Sequence, residues 1–206
     1  ISHQHIFLLS ILIISIIIFI ESYNIFSKLI TNISTVNKTS SEIFNLRFLI
    51  LNLITFCYIF FIFCYFSYEI FKFEGPIFFL YLISICFFTD IGGYAFGKII
   101  GGKKLSKISP NKTISGVIGS FIFSIIPLII FLKLDYLNLE LDLNYVFFNL
   151  TVSLVSQLGD LLVSFFKRKA KIKDTGKILP GHGGILDRVD GIIFAIPFSY
   201  FLLKLF

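Results

Sequence analysis

Long apolar runs recur from one end of this chain to the other, interrupted by short polar and charged stretches. A bilayer core of ~30 Å needs about 20 apolar residues per helix. Six segments fit or approach that length: residues 6–20 with some extension, 46–71, 76–99, 113–132, 145–166 and 184–206. The pattern predicts an all-α polytopic membrane protein, a bundle of about six transmembrane helices forming a single transmembrane domain over residues 1–206. The stretch from Glu21 to Arg47, rich in Ser, Thr and Asn, reads as a loop between the first two spans. Gly93, Gly97, Gly116 and Gly119 fall at small-residue spacing, which predicts close helix–helix approach at those positions.

Composition sharpens this picture. Of the 206 residues 56% are hydrophobic and 15% charged, where a soluble domain carries about 25% charged residues. A water-soluble globular domain is therefore excluded. The first residues resemble a signal sequence in hydropathy, but no Lys or Arg precedes the run and no small-residue cleavage site follows it, so a membrane helix is expected. The chain starts at Ile1 and contains no Met, which leads us to expect a fragment lacking N-terminal helices. Cys57, Cys64 and Cys86 lie inside apolar runs without metal-ligand spacing and are expected to pack as small apolar groups.

Charge sets the orientation. The formal net charge is +6, and eleven of the 18 basic residues lie in two loops. One holds Lys98, Lys103, Lys104, Lys107 and Lys112; the other holds Lys167, Arg168, Lys169, Lys171, Lys173 and Lys177. Two spans separate these loops, and the loop between those spans is acidic, with Asp135, Glu140 and Asp142. By the positive-inside rule the basic face is cytoplasmic. In a soluble chain such an excess would suggest nucleic acid; here it accompanies membrane topology, and no nucleic-acid partner is expected.

The acids inside the spans are less ordinary. An ionisable residue within a membrane helix costs at least ~2.5–3.5 kcal/mol on insertion scales, and so marks a functional position by default. Asp90, Asp160, Asp187 and Asp190 are all placed within about 5–12 Å of the cytoplasmic ends of their helices, counting 1.5 Å per residue. Asp160, Ser164 and Lys167 follow i, i+4, i+7 spacing, and Asp187 and Asp190 are i, i+3 neighbours. This arrangement lets one face of each helix point into a shared polar chamber. Carboxylates gathered at one depth need a cation, a shared proton or a basic partner. Oxygen donors without Cys select a hard ion such as Mg²⁺. The alternative is that Asp187 and Asp190 simply pair with Arg188 or Lys167.

The flanking loops suit polyphosphate. Ser109-Pro110-Asn111-Lys112-Thr113 leads into the fourth span, where Ser109 or Thr113 can cap the helix while Lys112 adds positive charge at the same end. Pro180-Gly181-His182-Gly183-Gly184 leads into the sixth, with glycines that permit close backbone approach to a ligand. Carboxylates for a metal, two helix N-termini and several cations together suit attack at phosphorus that joins a cytosolic nucleotide to a membrane lipid. The residues themselves name neither the nucleotide nor the lipid.

The stretch SFFKRKAKIKDTGKILPGHGGILDRVD, Ser164 to Asp190, closely resembles the signature of the phosphatidate cytidylyltransferases, also called CDP-diacylglycerol synthases. The resemblance rests on Ser164, Lys167, Arg168, Lys173, Asp174, Gly176, Pro180, His182, Gly183, Gly184, Asp187, Arg188 and Asp190. It extends upstream through Gly159-Asp160 and through Asp90, Gly93, Tyr94 and Gly97 to the Ser109–Thr113 motif. One departure stands out: the family usually has an acid where this chain has Ser115.

What the resemblance implies is a catalytic core over residues 76–206, with partial N-terminal helices over 1–75. It implies an enzyme that converts CTP and phosphatidate into CDP-diacylglycerol and pyrophosphate, in phospholipid biosynthesis. Mg²⁺ is implied, with a monovalent cation such as K⁺ beside it. The metal falls to Asp160, Asp187 and Asp190, with Ser164 oriented nearby. Lys167, Arg168 and Lys173 are implied to neutralise phosphates; Ser109, Lys112, Thr113 and His182 contact the triphosphate or pyrophosphate, and Arg188 contacts substrate or pairs with an acid. The expected location is the bacterial inner membrane with the active site facing the cytoplasm. A homodimer stays open. The competing readings are a CTP-dependent kinase acting on polyprenol or phytol, and an ion-conducting transport protein.

Overall fold

The computed structural model describes residues 3–37, 41–105, 109, 112–135, 142–176, 178, 181 and 183–205; the side chains of residues 33–45 lie outside that description. The elements are α1 (His3–Asn37), α2 (Ser41–Cys57), a π-helical stretch Tyr58–Phe63, α3 (Cys64–Phe73), α4 (Gly75–Ile99), α5 (Ile114–Ser124), α6 (Ile126–Leu134), α7 (Leu143–Lys169), α8 (Leu186–Val189) and α9 (Ile192–Leu203). Among the described residues there is no strand beyond an isolated bridge between Lys104 and Thr113.

Among the described residues five helical stretches are long and apolar enough to cross a membrane: His3–Asn32, Leu46–Phe73, Gly75–Ile99, Ile114–Leu134 and Leu143–Lys169. The fourth is broken at Ile125, where Pro127 opens α6 without a backbone donor. The expected sixth segment is present as α8 and α9, linked through Asp190 and Gly191, both in right-handed helical conformation. The protein is thus an integral membrane protein of helical architecture.

The first span corrects the sequence reading. Glu21 does not open a loop; it lies within α1, which continues to Asn37. A glutamate fits there because it is 2% exposed and hydrogen-bonded inside the protein, so lipid never meets its charge. Two stripes of opposite role run along this helix. Ile6, Leu9, Ile13, Ile16 and Ile20 are exposed, while Ile11, Ser15, Ile18, Ser22, Ile25 and Leu29 are buried. The exposed stripe is the more apolar, as expected where lipid is the solvent and small polar residues line helix contacts.

The chain forms two compact units, Ile1–Tyr68 with Leu162–Asp190, and Glu69–Leu161 with Gly191–Phe206. In the first, the Phe19 ring meets Phe56 and Phe60 edge-on at 5.6 and 6.2 Å. Phe26 meets Phe166 at 5.4 Å. Helix α7 ends there by placing Lys171 in the left-handed region, φ 55°. Ile172 N–H then bonds the Lys167 carbonyl (3.0 Å) and Lys171 N–H bonds that of Arg168 (3.1 Å), a Schellman ending that normally takes glycine. Asn32 Nδ2 satisfies the nearby Ala170 carbonyl at 3.0 Å.

In the second unit α4 and α5 approach backbone to backbone. A Cβ on Gly92 would collide with the Gly119 carbonyl, one on Gly93 with Ser120 Oγ, and one on Gly116 with the Gly93 carbonyl. Gly119 packs against Phe96, and Gly97 against Thr113. The four expected glycines do make this contact, and Gly92 joins them. Polar bonds tie α7 to α4: Tyr81 Oη donates to Asn149 Oδ1 at 2.7 Å, and Thr89 Oγ1 to Ser153 Oγ at 3.0 Å. Ser120 Oγ of α5 donates to the Thr89 carbonyl at 2.8 Å. Such interhelical bonds contribute about 0.6 kcal/mol each on average within membranes.

Candidate active site

On α7 a polar stripe runs through Asn149, Ser153, Gln157, Asp160, Ser164 and Lys167, with steps of three and four residues. Only its last three members were marked by sequence. Its middle part enters a cavity of about 300 Å³ in the second unit, lined by Asp90, Gly93 and Tyr94 of α4, by Ser109, Lys112 and Thr113 of the connecting loop, by Gly116, Val117 and Ser120 of α5, and by Gln157 and Asp160 of α7. Lys112 pairs with Asp160. Of the residues expected to bind substrate, Ser109, Lys112 and Thr113 therefore line one cavity with Asp160, and Asp90 lines it too.

Local chemistry fixes that loop. Thr113 is the residue that caps α5: its backbone is extended and its hydroxyl accepts the Gly116 N–H at 3.1 Å. Leu105 N–H bonds the Lys112 carbonyl (2.8 Å), and Ile114 N–H bonds that of Lys103 (3.1 Å). Ser115 Oγ donates to the Gly101 carbonyl and lies 2.9 Å from Thr113 Oγ1. An ionised acid at this position would be an acceptor only and could not make that donation, so the bond depends on the Ser115 hydroxyl. Pro110, Asn111 and Lys107 lie outside the described residues.

A second carboxylate site belongs to the first unit. Asp187 Oδ1 accepts from Lys167 Nζ at 2.8 Å. Its Oδ2 accepts from Thr175 N (2.8 Å), Thr175 Oγ1 (3.0 Å) and Gly184 N (2.9 Å). The simple pairing of Asp187 with Lys167 is thus present, within a larger web. Asp190 is 9% exposed; Ser164 is half-buried, and Arg168, Lys173 and Arg188 are exposed. His182, with Pro180 and Lys177, lies outside the described residues.

Sequence reasoning missed Glu21, Thr175 and Gln157. Glu21 carried a usable signal, since the rule applied to Asp90 covers any acid inside an apolar run. Thr175 offered none.

The cavity's donors fit a hard cation. Two carboxylates and neutral oxygens from Gln157, Ser109 and Ser120 line it, with neither Cys nor His. Among the described residues no three Asp, Glu, His or Cys side chains converge. A set limited to one or two carboxylates is what Mg²⁺ takes when water and substrate phosphates complete its octahedron.

Fold and site together define a polytopic helical membrane protein that sets carboxylates and lysines beside a capped helix N-terminus. The chain belongs to the cytidylyltransferase family, whose sequence model matches residues 2–206. It is similar to proteins named phosphatidate cytidylyltransferase. The one from Staphylococcus aureus (strain COL) is 47% identical over 133 residues, 63% of this chain and 50% of that protein. The one from Staphylococcus saprophyticus is 44% identical over 132 residues, with the same coverage. The one from Bacillus subtilis (strain 168) is 43% identical over 136 residues, 64% of this chain and 49% of that protein. The chain spans about half the length of the curated relatives it matches.

Proposed function

We propose that this chain carries the catalytic part of a phosphatidate cytidylyltransferase, producing CDP-diacylglycerol and pyrophosphate from CTP and phosphatidate in a bacterial inner membrane. The observation that supports it best is the joining of Asp90, Asp160, Lys112 and the Thr113-capped start of α5 in one cavity. A phosphate oxygen of phosphatidate attacks the α-phosphorus of CTP, a new P–O bond forms, and the bond to the β-phosphate breaks as pyrophosphate departs. A phosphate dianion needs no deprotonation to attack, so the protein's task is positioning and neutralising charge.

Lys112 and the α5 N-terminus receive the triphosphate, with Ser109, Thr113 and His182 as further donors. Until substrate arrives, Lys112 offsets the charge of Asp160. When phosphate enters, the ammonium turns to it, and the freed Asp160 carboxylate would be able to hold a cation. Asp160 in the cavity and, from the signature, Asp187 and Asp190 are the residues that would hold Mg²⁺ and K⁺, which would neutralise charge on the transferring phosphate. Lys167 keeps Asp187 ionised and oriented, Ser164 supports the same helix face, and Arg168, Lys173 and Arg188 attract the anionic substrates. The basic loops face the cytoplasm, where CTP is found.

Incubating membranes that contain the protein with CTP, phosphatidate and Mg²⁺, with and without EDTA, tests this. CDP-lipid and pyrophosphate, lost with EDTA, are expected. Phospholipid and CDP would instead indicate a lipid kinase, and cation flux without CTP turnover a transport protein.

A further inference from the structure

Glu21 lies in α1, far upstream of the signature, yet its carboxylate sits within the signature's fold. It is 2% exposed. Its Oε1 accepts the Ile185 N–H at 3.0 Å, and its Oε2 accepts the Leu186 N–H and Thr175 Oγ1, each at 2.8 Å. The two N–H groups are first-turn donors of α8 that have no helical partner of their own. All three donors are uncharged, and all are aimed at acceptors. Glutamine has the same size but turns one oxygen into a donor that would face them.

The same contact accounts for two signature glycines. A Cβ on Gly184 would collide with Thr175 Oγ1 and the Glu21 carboxylate, and one on Gly176 would lie against Glu21 Oε1. These glycines leave room for a side chain from another helix. Thr175 is the link onward: its hydroxyl oxygen lies 2.8 Å from Glu21 Oε2 and 3.0 Å from Asp187 Oδ2, while its N–H donates to Asp187 Oδ2 at 2.8 Å.

We propose that Glu21 is a positioning residue for cytidylyl transfer: through Thr175 and the backbone of residues 185–186 it sets where the Asp187 carboxylate points. It touches no reacting atom. The proposal rests on the activity reading above for its kinetic consequence, but the clamp is a property of the chain itself.

The test uses the chain in lipid nanodiscs as wild type, Glu21→Gln, Thr175→Val, Thr175→Ser and the Glu21→Gln/Thr175→Val double variant. Hydrogen exchange of peptides covering 174–189 is expected to quicken at least about tenfold in Glu21→Gln, with α4 and α5 peptides unchanged. The turnover number falls by about tenfold or more, as for groups that orient a ligand through another residue, while the CTP KM stays within about threefold. Thr175→Val matches that loss, Thr175→Ser restores the rate, and the double variant is no worse than the poorer single one. Wild-type exchange in Glu21→Gln, quickened exchange across the whole chain, or multiplying losses in the double variant would overturn the proposal. If Glu21→Gln does not fold, the contrast between Thr175→Val and Thr175→Ser decides it. A wild-type chain that makes no CDP-lipid refutes the activity reading alone, and the exchange pattern still decides the clamp.

Discussion

Asp187 and Asp160 are the acids to which the signature and its upstream motif point, and their surroundings differ. Asp187 accepts four hydrogen bonds from the protein, one of them charged, and its side chain is 10% exposed. Asp160 lines a cavity, where it pairs with Lys112, and is 25% exposed. A carboxylate held by so many fixed donors is set before any ligand arrives, whereas one held by a flexible lysine beside open volume can exchange partners. The first unit thus holds a carboxylate fixed by its own backbone, and the second a carboxylate beside open volume.

The sharpest way to break this contrast is to remove each lysine. Lys167→Met strands a largely buried charge on Asp187 and is expected to destabilise the protein by about 3–5 kcal/mol. Lys112→Met, whose pair is 29% and 25% exposed, is expected to cost under about 1 kcal/mol. Thermal unfolding in detergent checks both, and equal losses would erase the distinction. Next in size, Asp160→Asn is expected to slow CDP-lipid formation by about 10²–10³-fold, the scale of losing a preorganised charge, while leaving the unfolding temperature close to wild type. Normal Mg²⁺-dependent activity in that variant would remove Asp160 from the metal. Lys112→Ala is expected to raise the CTP requirement about tenfold, one phosphate contact's worth, with phosphatidate dependence little changed. A parallel loss for both substrates would make the loop merely structural.

Much of this was legible in the residues. Hydropathy located the spans because lipid demands unbroken apolar length, and the four glycines of α4 and α5 announced their own contact. Asp160 with Ser164 and Lys167 declared a helix face by spacing alone. Glu21 was misplaced because its neighbours Ser22, Tyr23 and Asn24 resemble a loop, and only tertiary structure shows that α8 supplies the donors that let an acid stay in α1. Thr175 was invisible for a similar reason: its bonds reach residues 12 and 154 positions away. Ser115 was noted as a departure, yet its bond to the Gly101 carbonyl depends on a loop path that spacing does not reveal.

The most direct test of the central claim follows the phosphorus atoms of CTP. With CTP labelled at either the α- or the γ-phosphate, and with phosphatidate and Mg²⁺ present, the account predicts that α label enters the lipid while γ label leaves as pyrophosphate. Lipid that gains the γ label instead, or no label from either position, would contradict it.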